Sequence, residues 1–179
     1  MLNHLEQQRY QKQIQLPEVG VDGQVLFKRA SVLVIGMGGL GCAITPYLCA
    51  AGVGHIGLMD FDHVARSNLA RQVLYQDKEI KKKKVMVAQQ KLAQMNPYIH
   101  VEAYPFAFTP EHASLLEEYD LIIDATDRFQ ARNAISIACI QKKKAYLYGA
   151  VSSHRVNAHC FYLKKPVTVV LFLNYHKQV

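Results

Sequence analysis

Short, continuous apolar runs alternate along this chain with longer segments in which apolar residues recur at helical spacing. The runs Ser31 to Ile35, His55 to Asp60, Ile99 to Tyr104, Leu121 to Asp124 and Ala145 to Gly149 have the length and composition of buried strands. Between them lie segments that read as helices. Cys42 to Ala51 stops at Gly52, Lys82 to Met95 places Val85, Ala88, Leu92 and Met95 on one face, and Pro110 to Glu118 and Phe129 to Gln141 follow. Pro46 falls inside the first of these and predicts a kink or an adjusted first turn. Ahead of the first strand, Leu5 to Gln13 and Val25 to Ala30 read as short helices separated by Pro17 and Gly20. The polar stretch Ala65 to Gln72 is too irregular to read as core. Two further apolar runs, Val156 to Leu163 and Val167 to Leu173, could each be a strand.

Strand–helix alternation makes the fold class α/β: a Rossmann-like three-layer αβα arrangement with a mainly parallel sheet, preceded by a short helical segment. We expect one domain over residues 1–179, with a helical arm (1–30), a core (31–150) and residual strands with a tail (151–179). The first strand runs directly into Gly36-Met37-Gly38-Gly39-Leu40-Gly41, a G-x-G-x-x-G turn at the start of a helix. Strand, glycine turn and helix N-terminus in that order make a phosphate cradle. Gly36 permits the tight turn, Gly38 allows backbone to approach a phosphate, and Gly41 allows helix and strand to pack closely. Asp60 lies nineteen residues past Gly41, close to the spacing of about 20 at which an acidic residue bonds ribose hydroxyls. Ligands in such sheets sit outside the carboxyl ends of the strands, where Gly36, Asp60 and Asp127 would converge.

The glycine turn alone is compatible with NAD, FAD or ATP. Arg71 and Lys84 favour ATP, because two cations so soon after the second strand suit a triphosphate and its departing pyrophosphate, together with a metal-binding Asp.

Composition narrows the classes further. Half of the 179 residues are apolar and a fifth are charged, as in soluble proteins. No apolar run reaches the roughly 18 residues of a membrane span, and Met1 to Gln13 lacks the apolar stretch of a signal peptide, so a cytoplasmic location is expected. Cys42, Cys49, Cys139 and Cys160 form no C-x-x-C pair; they read as buried thiols and build no zinc site. The net charge of +7 gathers in Lys81 to Lys84, Lys142 to Lys144 and Lys164-Lys165. Without a stacking or groove-entering motif, these runs read as solvated helix ends, and a nucleic-acid partner is not expected.

A set of motifs in fixed order resembles one family. Arg9-Tyr10-x-x-Gln13-Ile14, Leu16-Pro17-Glu18-x-Gly20, Gly23-Gln24, the glycine turn, Asp60-Phe61-Asp62, Ser67-Asn68-Leu69-x-Arg71-Gln72, Asn96-Pro97 and Asp124-Ala125-Thr126-Asp127 are similar to those of the ThiF/MoeB/HesA enzymes, bacterial relatives of ubiquitin-activating enzymes. The resemblance covers about residues 9 to 152. It implies adenylation of the C-terminal glycine of a small ubiquitin-like sulfur-carrier protein ending in Gly-Gly, using ATP with Mg2+ as cofactor and releasing pyrophosphate. It implies that Gly38 and Gly39 lie under the phosphates and that Asp60 bonds the ribose. Asn68, Arg71 and Lys84 would contact phosphates, and Asp127 would hold magnesium. The pathway would be a thiamine or molybdopterin type of sulfur transfer. Two other readings stay open: an ATP-binding relative that does not complete turnover, and a nicotinamide- or flavin-dependent oxidoreductase.

The sequence departs from the family in three places. Lys12 stands where an arginine reaches the neighbouring subunit's ATP in a homodimer; a lysine keeps the charge but loses the planar fork. Arg128 replaces the Asn that follows the magnesium Asp. Family members also continue into two C-x-x-C zinc pairs that are absent here. The first commonly reads Pro-Cys-Tyr-Arg-Cys-Leu, whereas this chain reads Pro166-Val167-Thr168-Val169-Val170-Leu171. One set of codons for the family hexapeptide, read after loss of one leading base, gives Pro-Val-Thr-Val-Val, and then Leu where a purine follows. Two expectations stand side by side: a C-terminally truncated, frameshifted member with an out-of-frame tail from Phe172 to Val179, and a naturally short relative with an ordinary final strand.

Overall fold

The structure, a computed structural model, describes residues 1–152 and 155–161, with side chains described through Gly149. The expected strand Val167 to Leu173, the tail and the side chain of Cys160 lie outside the described residues.

Three short helices open the chain: α1 (His4–Arg9), α2 (Gln11–Ile14) and α3 (Gly20–Arg29). The core follows as β1 (Ser31–Ile35), α4 (Gly39–Ala51), β2 (His55–Met59), α5 (Lys84–Met95), β3 (His100–Tyr104), a 3-10 segment (Pro110–Glu118), β4 (Leu121–Asp124), α6 (Phe129–Gln141), β5 (Ala145–Ser152) and β6 (Arg155–Phe161). The strands form one sheet in the order β3-β2-β1-β4-β5-β6. Pairings among the first five are parallel, and β6 returns antiparallel to β5. This is the Rossmann order, with its reversal point between β1 and β4.

Side chains alternate across the sheet, so β1 feeds two cores. Val32 and Val34 pack under α4 and α5 with Ile56, Leu58, Val85, Ala88 and Leu92. Leu33 and Ile35 pack on the other side with Leu116, Tyr119, Ile122, Ile135 and Cys139. Both faces are covered, which is why the strands read as continuous apolar runs instead of alternating ones.

Four expectations need adjusting. Pro110–Glu118 is helical but wound as 3-10, with Pro in its first turn. Its three-residue repeat aligns Ala113, Leu116 and Tyr119 over the sheet. Met95 shares a stripe with Val85, Ala88 and Leu92, yet it is 44% exposed while those three are fully buried. The 12-residue α5 spans roughly 18 Å, longer than the roughly 16 Å of a five-residue strand, so its last turn overshoots the sheet. Pro46 does not interrupt α4, which continues to Ala51 and ends at Gly52 in the left-handed region. The stretch Ala65 to Gln72 is irregular as expected, but it is not all surface: Leu69 packs on the core and Gln72 is buried.

The helical arm docks on the amino-terminal side of the sheet. The Tyr10 hydroxyl accepts from Asn96 Nδ2 at 2.8 Å, and the same nitrogen donates to the Cys49 carbonyl at 2.7 Å. Gln24 donates to the Ala51 carbonyl, and Arg9 donates to that of Met95.

Candidate nucleotide site

Four stretches meet around the glycine turn, residues 36–41. The Gly36 φ of +99° is one that side chains disfavour, and a Cβ there would come within 2.8 Å of the Ala125 backbone. Glycine is therefore required where the loop after β1 touches the loop after β4. A Cβ at Gly41 would run into the Gly36 carbonyl oxygen, so this glycine closes the turn against the helix. The other two glycines differ. The nearest atom to a Cβ at Gly38 would be Gln72 Nε2 at 3.9 Å, and at Gly39 it would be Arg71 Cγ at 4.0 Å. The 66–72 segment thus roofs the open part of the turn.

Asp60 organises this turn from the end of β2. Its carboxylate accepts from the Met37 amide at 2.6 Å and from the Asp62 amide at 2.7 Å. Asp62 carries the chain of contacts onward. Its carbonyl accepts from the Lys84 amide at 3.0 Å, and its carboxylate pairs with Lys84 Nζ at 3.1 Å. Lys84 is 4% exposed and opens α5, so its ammonium is fixed at the carboxyl end of the sheet with two of three protons uncommitted to Asp62.

Asn68 is half-buried, and its carbonyl holds the Arg71 and Gln72 amides. Arg71 is exposed and donates through Nη1 to the Ser67 carbonyl at 3.1 Å. Asp127 is exposed, with no partner recorded for its carboxylate among the described residues. Lys12 is not brought to this site. It lies on α2, part of the arm docked at the amino end, with the roughly 20 Å length of α4 between.

Several supporting contacts are not predicted by the sequence pattern. Asp124 is fully buried at the end of β4. It accepts from the Thr126 amide and hydroxyl and from the Tyr146 hydroxyl at 2.8 Å, with Arg132 Nε 3.6 Å away at ion-pair distance. Arg132 also donates to the Thr126 carbonyl at 2.7 Å. This network sets the loop that presents Asp127. The repeated acidic residue in Asp124-Ala125-Thr126-Asp127 was its one trace in the sequence. Tyr75 is buried and donates to the Met37 carbonyl at 3.1 Å, bracing the glycine turn from below. Burial pushes the Tyr75 hydroxyl up, and the neighbouring Cys42 adds to the effect. Burial likewise pushes the Cys42 thiol up to about 11, so it stays protonated at neutral pH and is no nucleophile. Arg128 reaches across the mouth of the site, its guanidinium 5.4 Å from the centre of the Phe61 ring.

The three described cysteines are buried free thiols. Away from the glycine turn, His55, His100 and Glu102 bring three potential ligand atoms together at the amino ends of β2 and β3. The spacing of the cysteines bears on none of these three, which strand pairing brings together.

A model of the ThiF family matches residues 10–178. The chain is 46% identical over 147 residues to a sulfur carrier protein adenylyltransferase of Thermus thermophilus, covering 82% of this chain and 54% of that protein. It is 41% identical over 150 residues to a molybdopterin-synthase adenylyltransferase of Haemophilus influenzae, covering 83% and 62%. The chain thus spans little more than half the length of these relatives. Among solved structures, the E. coli tRNA N6-threonylcarbamoyladenosine dehydratase TcdA in complex with ATP superposes with a TM-score of 0.80 at 25% identity, covering 87% of this chain and 64% of that one. E. coli MccB, at 24% identity and a TM-score of 0.79, shares the fold over 88% of this chain and 49% of its own. With its glycine turn, Asp60 and the Asp124–Asp127 loop gathered at the carboxyl end of one sheet, the chain belongs to the ThiF family.

Proposed function

We propose that this chain binds ATP at the glycine turn and adenylates the C-terminal glycine of a small ubiquitin-like sulfur-carrier protein ending in Gly-Gly, releasing pyrophosphate. The observation that carries the reading is the meeting of four stretches around the glycine turn, which gathers backbone amides, two cations and an uncommitted carboxylate at the carboxyl end of the sheet. The carrier's carboxylate attacks the α-phosphorus, and the protein contributes positioning and charge. Gly38 and Gly39 lie under the phosphates, Asp60 orients the ribose, and Asn68, Arg71 and Lys84 hold the phosphate oxygens. Asp127 is the carboxylate free to hold Mg2+, which supplies charge neutralisation on the phosphates when bound. Lys12, at the far end of its own chain, serves the site of a second copy in a homodimer. The three unbridged thiols suit a reducing cytoplasm. The described residues contain no helix long and apolar enough to cross a membrane.

ATP–pyrophosphate exchange tests the reading. Exchange should require a carrier ending in Gly-Gly and vanish when its last glycine is removed. A chain that melts at higher temperature with ATP but not NAD, yet exchanges nothing with any such carrier, would reduce the assignment to nucleotide binding.

A further inference from the structure

We propose a second site, for a divalent transition-metal cation, formed by His55, His100 and Glu102 at the amino ends of β2 and β3. It is independent of the nucleotide reading. The β2 strand separates the two places: four residue steps from His55 to Met59 span roughly 13 Å before Asp60 is reached.

The sheet places the three ligands. β2 and β3 are parallel with His55 opposite His100 and Gly57 opposite Glu102. Side chains two apart on a strand share a face, so all three point to the side covered by Tyr119. Their positions are fixed by backbone bonds: the His55 amide donates to the Ala30 carbonyl at 3.1 Å, and that of His100 to the Gly54 carbonyl at 2.8 Å. Tyr119 crosses over Gly57 and meets the Tyr104 hydroxyl at 2.9 Å, forming an inner wall. Its ring lies 5.0 Å from the His55 ring, and the His100 ring lies 5.0 Å from His55 on another side.

One ligand atom of each residue lies within 4.8 Å of the others. His55 Nε2 is buried, without a hydrogen-bond partner among the described residues. It stands 3.4 Å from Glu102 Oε2, aligned too poorly for a hydrogen bond. Two donors bound tetrahedrally to zinc at its usual N and O distances are separated by about 3.4 Å. A buried ring nitrogen left open, facing a carboxylate at that separation, is the geometry of a ligand pair. His100 and Glu102 are the more exposed members and can swing inward. Two imidazoles and one carboxylate suit zinc, cobalt or nickel and leave room for water. They do not suit magnesium, which favours oxygen ligands. The cation would join β3, the last strand on this side of the sheet, to β2.

Zinc added to the chelator-treated full chain provides the test, with magnesium as comparator. The expected result is one equivalent of zinc bound, with a rise in melting temperature that magnesium does not reproduce. His100→Ala and Glu102→Gln should each weaken zinc binding at least about tenfold, the loss that even outer-shell partners produce. Asp127→Asn should leave it unchanged. His100 is exposed, so its variant is expected to fold; urea midpoints without metal check this and keep the test informative even where His55→Ala unfolds. Cobalt substitution reads the ligands directly, since nitrogen and oxygen ligation gives no strong thiolate charge-transfer band. Absence of stoichiometric zinc, binding that survives His100→Ala, or a thiolate band would each overturn the proposal.

Discussion

At the amino end of the sheet Asn96 is fully buried, and its amide nitrogen donates to both Tyr10 and the Cys49 carbonyl. At the carboxyl end Asp127 and Arg71 stand exposed, Asn68 is half-buried, and much of their hydrogen-bonding capacity is open. Both ends are rich in polar side chains. The difference lies in what those side chains face. The amino end faces the helical arm, so its polar groups must find partners inside the protein or destabilise it. The carboxyl end faces the crevice at the reversal of strand order, where helix starts and loop amides converge. The contrast recurs within four residues: Asp124 is buried and surrounded by donors, whereas Asp127 is exposed and free for a ligand.

Substitutions that exchange these two conditions should break the comparison. The largest effect is expected at Gly41→Ala, where the new methyl meets the Gly36 carbonyl. Unfolding by urea should show a loss of at least about 3 kcal/mol, as expected for overpacking against backbone. Gly38→Ala, with nothing closer than 3.9 Å, should cost no more than about 1 kcal/mol yet weaken ATP binding in calorimetry. If both variants unfold alike, the turn is structural throughout. Next is Asn96→Ala, which strands the Cys49 carbonyl and the Tyr10 hydroxyl. A cost of about 2–3 kcal/mol is expected, with ATP affinity unchanged. Asp127→Asn should do the converse: stability within about 0.5 kcal/mol, but pyrophosphate exchange reduced by about 100-fold through lost charge stabilisation.

The sequence made the two ends unequally legible. The strands, the glycine turn and Asp60 were readable because each is local: an apolar run, a spacing, an acidic residue at a strand end. Arg71, Lys84 and Asp127 were readable as cations and an anion placed after strands by their order. The supporting contacts were not. Asp62 with Lys84, Tyr75 with Met37 and Asp124 with Tyr146 join residues 22 or more apart, and nothing in one sequence pairs them. His55 and Glu102 are brought together only by strand register. The latch of Tyr10 on Asn96 spans 86 residues; both positions stood in the family motifs, but their partnership needed the fold. The 3-10 winding of Pro110–Glu118 is not legible either, because its period differs from that of an α-helix by only about 0.6 residue per turn.

A further effect concerns acid stability at the amino end, and it follows from the sign of one shift. Glu6 is buried at the base of α1, where burial alone would raise its carboxyl. The hydrogen bond from Lys28, the Asn3 amide and the Lys28 charge outweigh burial and hold it below its ordinary 4.5. A group whose folded value is depressed stabilises the protein above its unfolded value and loses that contribution as pH falls through the folded one. Lys28→Met removes the main opposing contact and leaves burial stronger, so the carboxyl moves upward. At pH 7 the variant should lose about 1–2 kcal/mol, the value of a hydrogen bond to a charged group, reduced because Lys28 is 36% exposed. Below pH 4.5 the deficit should shrink, since a protonated Glu6 no longer needs the cation. Urea midpoints from pH 7 down to pH 3 measure the difference between the two proteins. A deficit constant across that range would mean that Lys28 acts through the packing of its stem on α1, and that the amino end is held by shape and neutral hydrogen bonds rather than by charge.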